Sequence, residues 1–123
     1  MLSLLWISQL ILSNDLSDMT TKLIFLDDMR SPPSEEWELA RDPFKAYESI
    51  LNAHDAGQAI IISLDHDLGE NIPTGYDLLN WLERDIATQD NFLPDISFRI
   101  HSGNPVGCTN MERAIQAIER RLL

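Results

Sequence analysis

Two apolar runs organise the chain: Lys22–Leu26 (KLIFL) and Ala59–Leu64 (AIIISL), each ending abruptly in carboxylates. Unbroken apolar segments this short, bounded by polar residues, predict strands buried on both faces. A weaker run, Trp37–Ala40, predicts a short strand at a sheet edge, and Ile96–Ile100 predicts a fourth strand. Between the first two lies Ser31-Pro32-Pro33-Ser34, a loop, because proline cannot continue a central strand. Helical spacing fills the remaining intervals. Asp42-Pro43 opens a helix that carries Phe44, Tyr47, Leu51 and His54 on one stripe and stops at Gly57. Thr74-Gly75-Tyr76-Asp77 reads as a capping box before Leu78, Leu79, Leu82 and Ile86. Thr109-Asn110-Met111-Glu112 reads as another, before Ala114, Ile115, Ile118 and Leu122, with Arg120 and Arg121 complementing the dipole of the last turn.

Strands alternating with helices imply right-handed crossovers and a mainly parallel sheet. Four strands in the order 2-1-3-4 give a truncated flavodoxin-like, three-layer α/β fold with strands one and three at its centre. Asp27-Asp28 and Asp65-His66-Asp67 would then meet at one sheet edge, outside the carboxyl ends of the strands where such folds bind ligands. Residues 1–21 stand apart from this pattern as an N-terminal extension, with the domain at 22–123. Met1–Leu12 is apolar, but about 12 residues fall short of the roughly 20 needed to span a bilayer. A basic n-region and a small-residue cleavage site are lacking too. The stretch reads either as a docking element or as an over-long gene start ahead of Met19.

Composition narrows the partners. Nine basic against twenty acidic residues among 123 give a net charge of −11, the wrong sign for gripping nucleic acid by its phosphates. A phosphate anion held by such a chain needs a metal ion or well-placed arginines. A single cysteine, Cys108, excludes an intramolecular disulfide and fits a reducing cytoplasm, the expected location. No membrane partner is expected; a homodimer is left open.

Up to four carboxylates arriving from neighbouring strand ends repel one another unless a hard cation shares them. Asp27, Asp28 and Asp65 are the expected metal-facing set, with Asp67 as a fourth; turn and helix capping is the plain alternative for each. Mg²⁺ fits best, since one or two carboxylates plus waters and phosphate oxygens satisfy it; Mn²⁺ and Ca²⁺ suit the same donors. His66 and His101 both follow strand ends, and a histidine pair across a phosphate can serve as base and acid, with Asp65 as a further catalytic candidate. His54, on a helix stripe, reads as packing. Ser102 and Asn104, in the turn before the last helix, offer donors to an anion, and Arg30 and Arg41 are candidate phosphate clamps.

Assembled, these residues resemble the cyclic-phosphate processing receiver domain family. The resemblance rests on Ile24-Phe25-Leu26-Asp27-Asp28 with Arg30 and Pro32-Pro33, Trp37 and Arg41. It continues through Ser63-Leu64-Asp65-His66-Asp67-Leu68-Gly69, Gly75, Trp81-Leu82, and His101-Ser102 through Asn104-Pro105-Val106-Gly107 with Asn110-Met111. It covers about Lys22 to Leu123 and implies a receiver-like fold and chemistry on cyclic or otherwise modified phosphates in nucleotide signalling. Set beside response-regulator receivers, Asp27-Asp28 fall where the metal pair belongs, Asp65 where the phosphoacceptor belongs, and Ser102 where the hydroxyl residue belongs. The fifth strand with its lysine has no counterpart, and His66 and His101 are additions.

The expected activity is therefore metal-dependent phosphoesterase processing of a cyclic nucleotide or cyclic phosphate. Asp65 acting as nucleophile is a variant of it. Two rivals use the same residues: a module that binds a nucleotide signal without turning it over, and an aspartyl-phosphate receiver.

Overall fold

Thr21–Leu26 (β1), Glu38–Ala40 (β2), Pro43–Asp55 (α1), Ala59–Leu64 (β3), Gly75–Thr88 (α2), Ile96–Ile100 (β4) and Pro105–Leu122 (α3) follow one another in the computed structural model. It describes residues 21–123; the N-terminal stretch, and with it the choice between docking element and over-long start, lies outside the described residues. The four strands form one parallel sheet in the order β2-β1-β3-β4, as the alternation of elements predicts. No helix among the described residues is long and apolar enough to cross a membrane.

Register decides what the sheet presents on each side. Ile24 pairs with Ile62 and Leu26 with Leu64, while Ile60, Ile62 and Leu64 pair with Ile96, Phe98 and Ile100. Because side chains alternate along a strand, all of these share one face. Against it pack Ala46 and Ile50 of α1, Leu78, Leu79 and Leu82 of α2, and Met111, Ala114 and Ile118 of α3, in one core. Full burial of each large aliphatic side chain contributes about 1.5–3 kcal/mol. Phe25, Ser63 and Arg99 form the matching row on the opposite face. Phe25 and Ser63 are buried there, outside the helix-covered core.

Among the described residues all three helices pack on one face of the sheet, so they form two layers where three were expected, because the connection from β1 to β2 is a proline-containing loop and not a helix on the opposite face. Two further sequence expectations change. In α1 the buried positions are Pro43, Ala46, Ile50 and Ala53, while Phe44 is 61% exposed. The helix sits close against β1, β2 and β3, which small residues allow, and the larger stripe flanks it: Phe44 and Tyr47 meet Trp81, and His54 meets Phe92 edge-on. The last helix begins at Pro105 rather than near Thr109. Asn104 is its N-cap, accepting from Gly107 N at 2.9 Å, and the Thr109 hydroxyl donates back to the Pro105 carbonyl instead of capping. The capping box at Thr74 and Asp77 is present as expected.

Candidate functional site

Leu26 and Leu64 are paired at the ends of β1 and β3, so the next residue of each strand, Asp27 and Asp65, emerges at the same edge. Backbone bonds hold both: Asp27 N donates to the Ala40 carbonyl at 3.1 Å and Asp65 N to the Leu26 carbonyl at 3.0 Å. One carboxylate oxygen each from Asp27, Asp28 and Asp65 lies within 4.8 Å of the others. Asp27 is 1% exposed and Asp65 8%, which is unusual for carboxylates unless they are paired or share a cation.

The two buried acids differ in their partners. Asp27 Oδ1 accepts from the backbone N–H of Met29 and of Arg30 at 2.9 and 2.8 Å, and Oδ2 lies 3.0 Å from His101 Nε2. Burial works to raise its pKa, but the Arg30 and Met29 N–H groups and the His101 ring outweigh this and hold it below the ordinary value. Asp65 has one backbone donor, His66 N at 2.8 Å; its burial, with the neighbouring Asp27 charge, pushes it up. Two carboxylates driven apart in this way form an electrostatic conflict that a divalent cation relieves. An all-oxygen donor set of three acids fits a hard cation such as Mg²⁺ or Mn²⁺.

His101 is locked in place. Its Nε2 faces a carboxylate, which only accepts, so Nε2 carries the proton; Nδ1, 2.7 Å from Ser63 Oγ, then accepts from that hydroxyl. Phe25 stacks on the ring with centroids 4.2 Å apart and planes 7° from parallel. His66 has a different setting. Its Nδ1 donates to Asp67 Oδ1 at 2.9 Å, which leaves Nε2 as the basic nitrogen, and its ring rests on the first turn of α3, where a Cβ on Gly107 would come within 2.5 Å of it. Asp67, expected as a fourth metal ligand, is not brought into the carboxylate cluster. It is exposed, pairs with His66 and accepts from Asn104 Nδ2 at 3.2 Å, and these bonds lower its pKa.

Arg30 Nη1 donates to the His101 carbonyl at 2.9 Å and lies 3.5 Å from Asp27 Oδ2, so this guanidinium stands at the cluster with its remaining donors exposed. Arg41 is used differently. Its Nη1 donates to the carbonyls of Arg30 at 2.9 Å and Asp27 at 3.3 Å, bracing the loop that carries Asp28. Ser102 Oγ accepts from Asn104 N at 3.1 Å, a turn that leads into the α3 cap. Ser63, which pairs with His101, is a site residue that the sequence reading does not single out, although a polar residue inside an apolar strand signals a buried hydrogen bond. Gly75 closes the site from below, since a Cβ there would meet the Asp65 carbonyl at 2.1 Å.

Residues 22–117 match the family model described as the cyclic-phosphate processing receiver domain. No curated protein and no solved structure matches the chain.

Proposed function

The chain belongs to the cyclic-phosphate processing receiver domain family, and from that membership and its carboxylate cluster we propose that it is a metal-dependent phosphoesterase acting on a cyclic nucleotide or cyclic phosphate. The observation that carries the reading is the meeting of Asp27, Asp28 and Asp65, from two strand ends, within 4.8 Å. These three residues would hold Mg²⁺, with Mn²⁺ as a substitute, and the ion would supply charge neutralisation at the phosphoryl oxygens.

The protein's own groups do the rest. Arg30 offers exposed donors to the phosphate beside the cluster, and Arg41 fixes the loop that positions Asp28. His66, oriented by Asp67, takes the proton of the attacking water at Nε2 as the new P–O bond forms. It then returns that proton to the sugar oxygen as the ring P–O bond breaks. His101 has both nitrogens engaged and acts as a positioning residue, fixing the rotamer and the charge of Asp27. Ser102 and Asn104 shape the turn facing His66, and Asn104 ties that turn to Asp67.

One observation favours the second reading, a module that binds a phosphoester without cleaving it. Of the two histidines expected as acid and base, only His66 keeps a nitrogen outside a side-chain pair. Incubating the full chain with Mg²⁺ and a panel of cyclic mono- and dinucleotides, followed by chromatography, separates the two. Conversion to a linear phosphate monoester, lost in Asp65→Asn, supports the enzyme. Retention of intact ligand supports the module, and neither turnover nor retention defeats both.

A further inference from the structure

On the sheet face opposite the helices, a line of rings leads away from the carboxylates. His101 stacks on Phe25 at 4.2 Å, and the Phe25 ring meets Trp37 edge-on at 6.2 Å and 77°. Arg99, from the edge strand β4, lies over the Trp37 ring with its guanidinium carbon 5.9 Å from the centroid. Arg99 is exposed, and among the described residues no carboxylate lies within ion-pairing distance of it, although the chain carries twenty acids. Trp37 is itself only half-buried, at the end of the loop that begins with Asp27 and Asp28.

From this arrangement we propose that Trp37 and Arg99 form the seat of a planar aromatic ring, so that the phosphoester handled at the carboxylates is a nucleotide whose base lies on this face. The inference rests on the phosphoester reading above and adds the part of the substrate that the carboxylates do not specify. A guanidinium 5.9 Å from an indole is beyond stacking contact yet within cation–π range. Stacked layers lie about 3.5 Å apart, so a base inserted between the two needs a gap of about 7 Å, an opening of roughly 1 Å. An arginine on an edge strand can swing by that much, because among the described residues no strand lies outside β4 in the sheet to hold it. Indole and guanidinium are also the side chains on which bases stack in single-stranded nucleotide recognition, where every base offers a π-face. Phe25, the one ring between Trp37 and the Asp27–His101 pair, leaves a span that a sugar and its phosphate linkage bridge. Packing alone accounts for Trp37 shielding Phe25, but not for an arginine with no ion-pair partner among the described residues laid over its exposed side in so acidic a chain.

The test compares affinities of the full chain, in Mg²⁺, for the 3′,5′-cyclic phosphates of adenosine, guanosine, cytidine and uridine and for the base-free methyl riboside 3,5-cyclic phosphate. Affinity is read as Kd, or as KM where a probe is turned over. The expected result is at least one nucleoside probe bound roughly 10–100-fold more tightly than the base-free ester, the range that stacking of one base supports. Trp37→Leu should erase that ratio, Trp37→Phe should keep most of it, and Arg99→Gln should lower it by about 2–5-fold. Equal affinity for all probes, or a ratio unmoved by Trp37→Leu and by Arg99→Gln, overturns the base seat while leaving the phosphate site intact. Failure of every probe to bind overturns the phosphoester reading and the seat with it. Should Trp37→Leu lose the fold, Arg99→Gln, an exposed change, decides the ratio alone.

Discussion

Asp27 and His101, 74 positions apart in the chain, meet at 3.0 Å between Oδ2 and Nε2 where the ends of β1 and β4 flank β3. The contact joins the most deeply buried carboxylate of the site to a ring whose other nitrogen is held by Ser63. His101→Ala should therefore act first on the fold. It strips Asp27 of a partner, uncovers Phe25 and leaves the Ser63 hydroxyl unpaired, at a cost of about 2–4 kcal/mol. Chemical denaturation checks this. Ser63→Ala, which removes one bond to the same ring, should cost about 1 kcal/mol.

Asp65→Asn should raise the stability of the metal-free chain by about 0.5–2 kcal/mol, because it removes a buried charge facing Asp27 with one backbone donor to hold it. The same change should abolish stabilisation by Mg²⁺. Thermal unfolding with and without the ion reads both effects.

The pH dependence follows from opposite shifts. Asp27, held below its ordinary value, contributes stability that is present above the ordinary aspartate range and lost as pH falls through its folded-state pKa. Asp65, pushed up, contributes stability that is present below that range and lost as pH rises through its own folded-state pKa. The metal-free chain should lose stability on both sides, and Mg²⁺ should remove the loss on the alkaline side by displacing the Asp65 proton. Cation affinity should accordingly climb as pH rises through the Asp65 pKa. Unfolding midpoints between pH 3 and 8, with and without Mg²⁺, test this, and Asp65→Asn should flatten the upper limb.

Two glycines give a contrasting pair. Gly75→Ala drives a Cβ into the Asp65 carbonyl at 2.1 Å, a backbone collision that should cost more than about 3 kcal/mol. Gly107→Ala meets the His66 ring at 2.5 Å, a side chain that can turn aside. It should cost less stability, about 1–2 kcal/mol, and lower turnover by roughly 10²–10⁴-fold if His66 carries the proton. Denaturation midpoints and initial rates on the same preparations check the pair.

The strands, their parallel order and the meeting of Asp27 with Asp65 were legible because an apolar run that stops at a carboxylate marks a strand end, alternating helices imply a parallel sheet, and the flavodoxin-like order 2-1-3-4 sets strands one and three side by side. The start of α3 was misread because two capping signals, Asn104-Pro105 and Thr109 with Glu112, follow one another closely in the chain. The chain uses the first, where the Asn104 side chain also reaches Asp67. The α1 stripe was misread because bulk was taken for burial, whereas close approach to the sheet selects Ala46 and Ala53. The partnership of Ser63 with His101 and the seating of Arg99 over Trp37 depend on register across strands. No local pattern carries that information.

The central claim is that one divalent cation sits among Asp27, Asp28 and Asp65. Titrating the ¹⁵N-labelled chain with Mn²⁺ tests it most directly, since a paramagnetic ion broadens the amides nearest to it first. The account predicts early loss of the Asp27, Asp28, Asp65 and His66 signals, reversed by excess Mg²⁺ and absent in Asp65→Asn. Broadening centred elsewhere, or unchanged by Asp65→Asn, would contradict it.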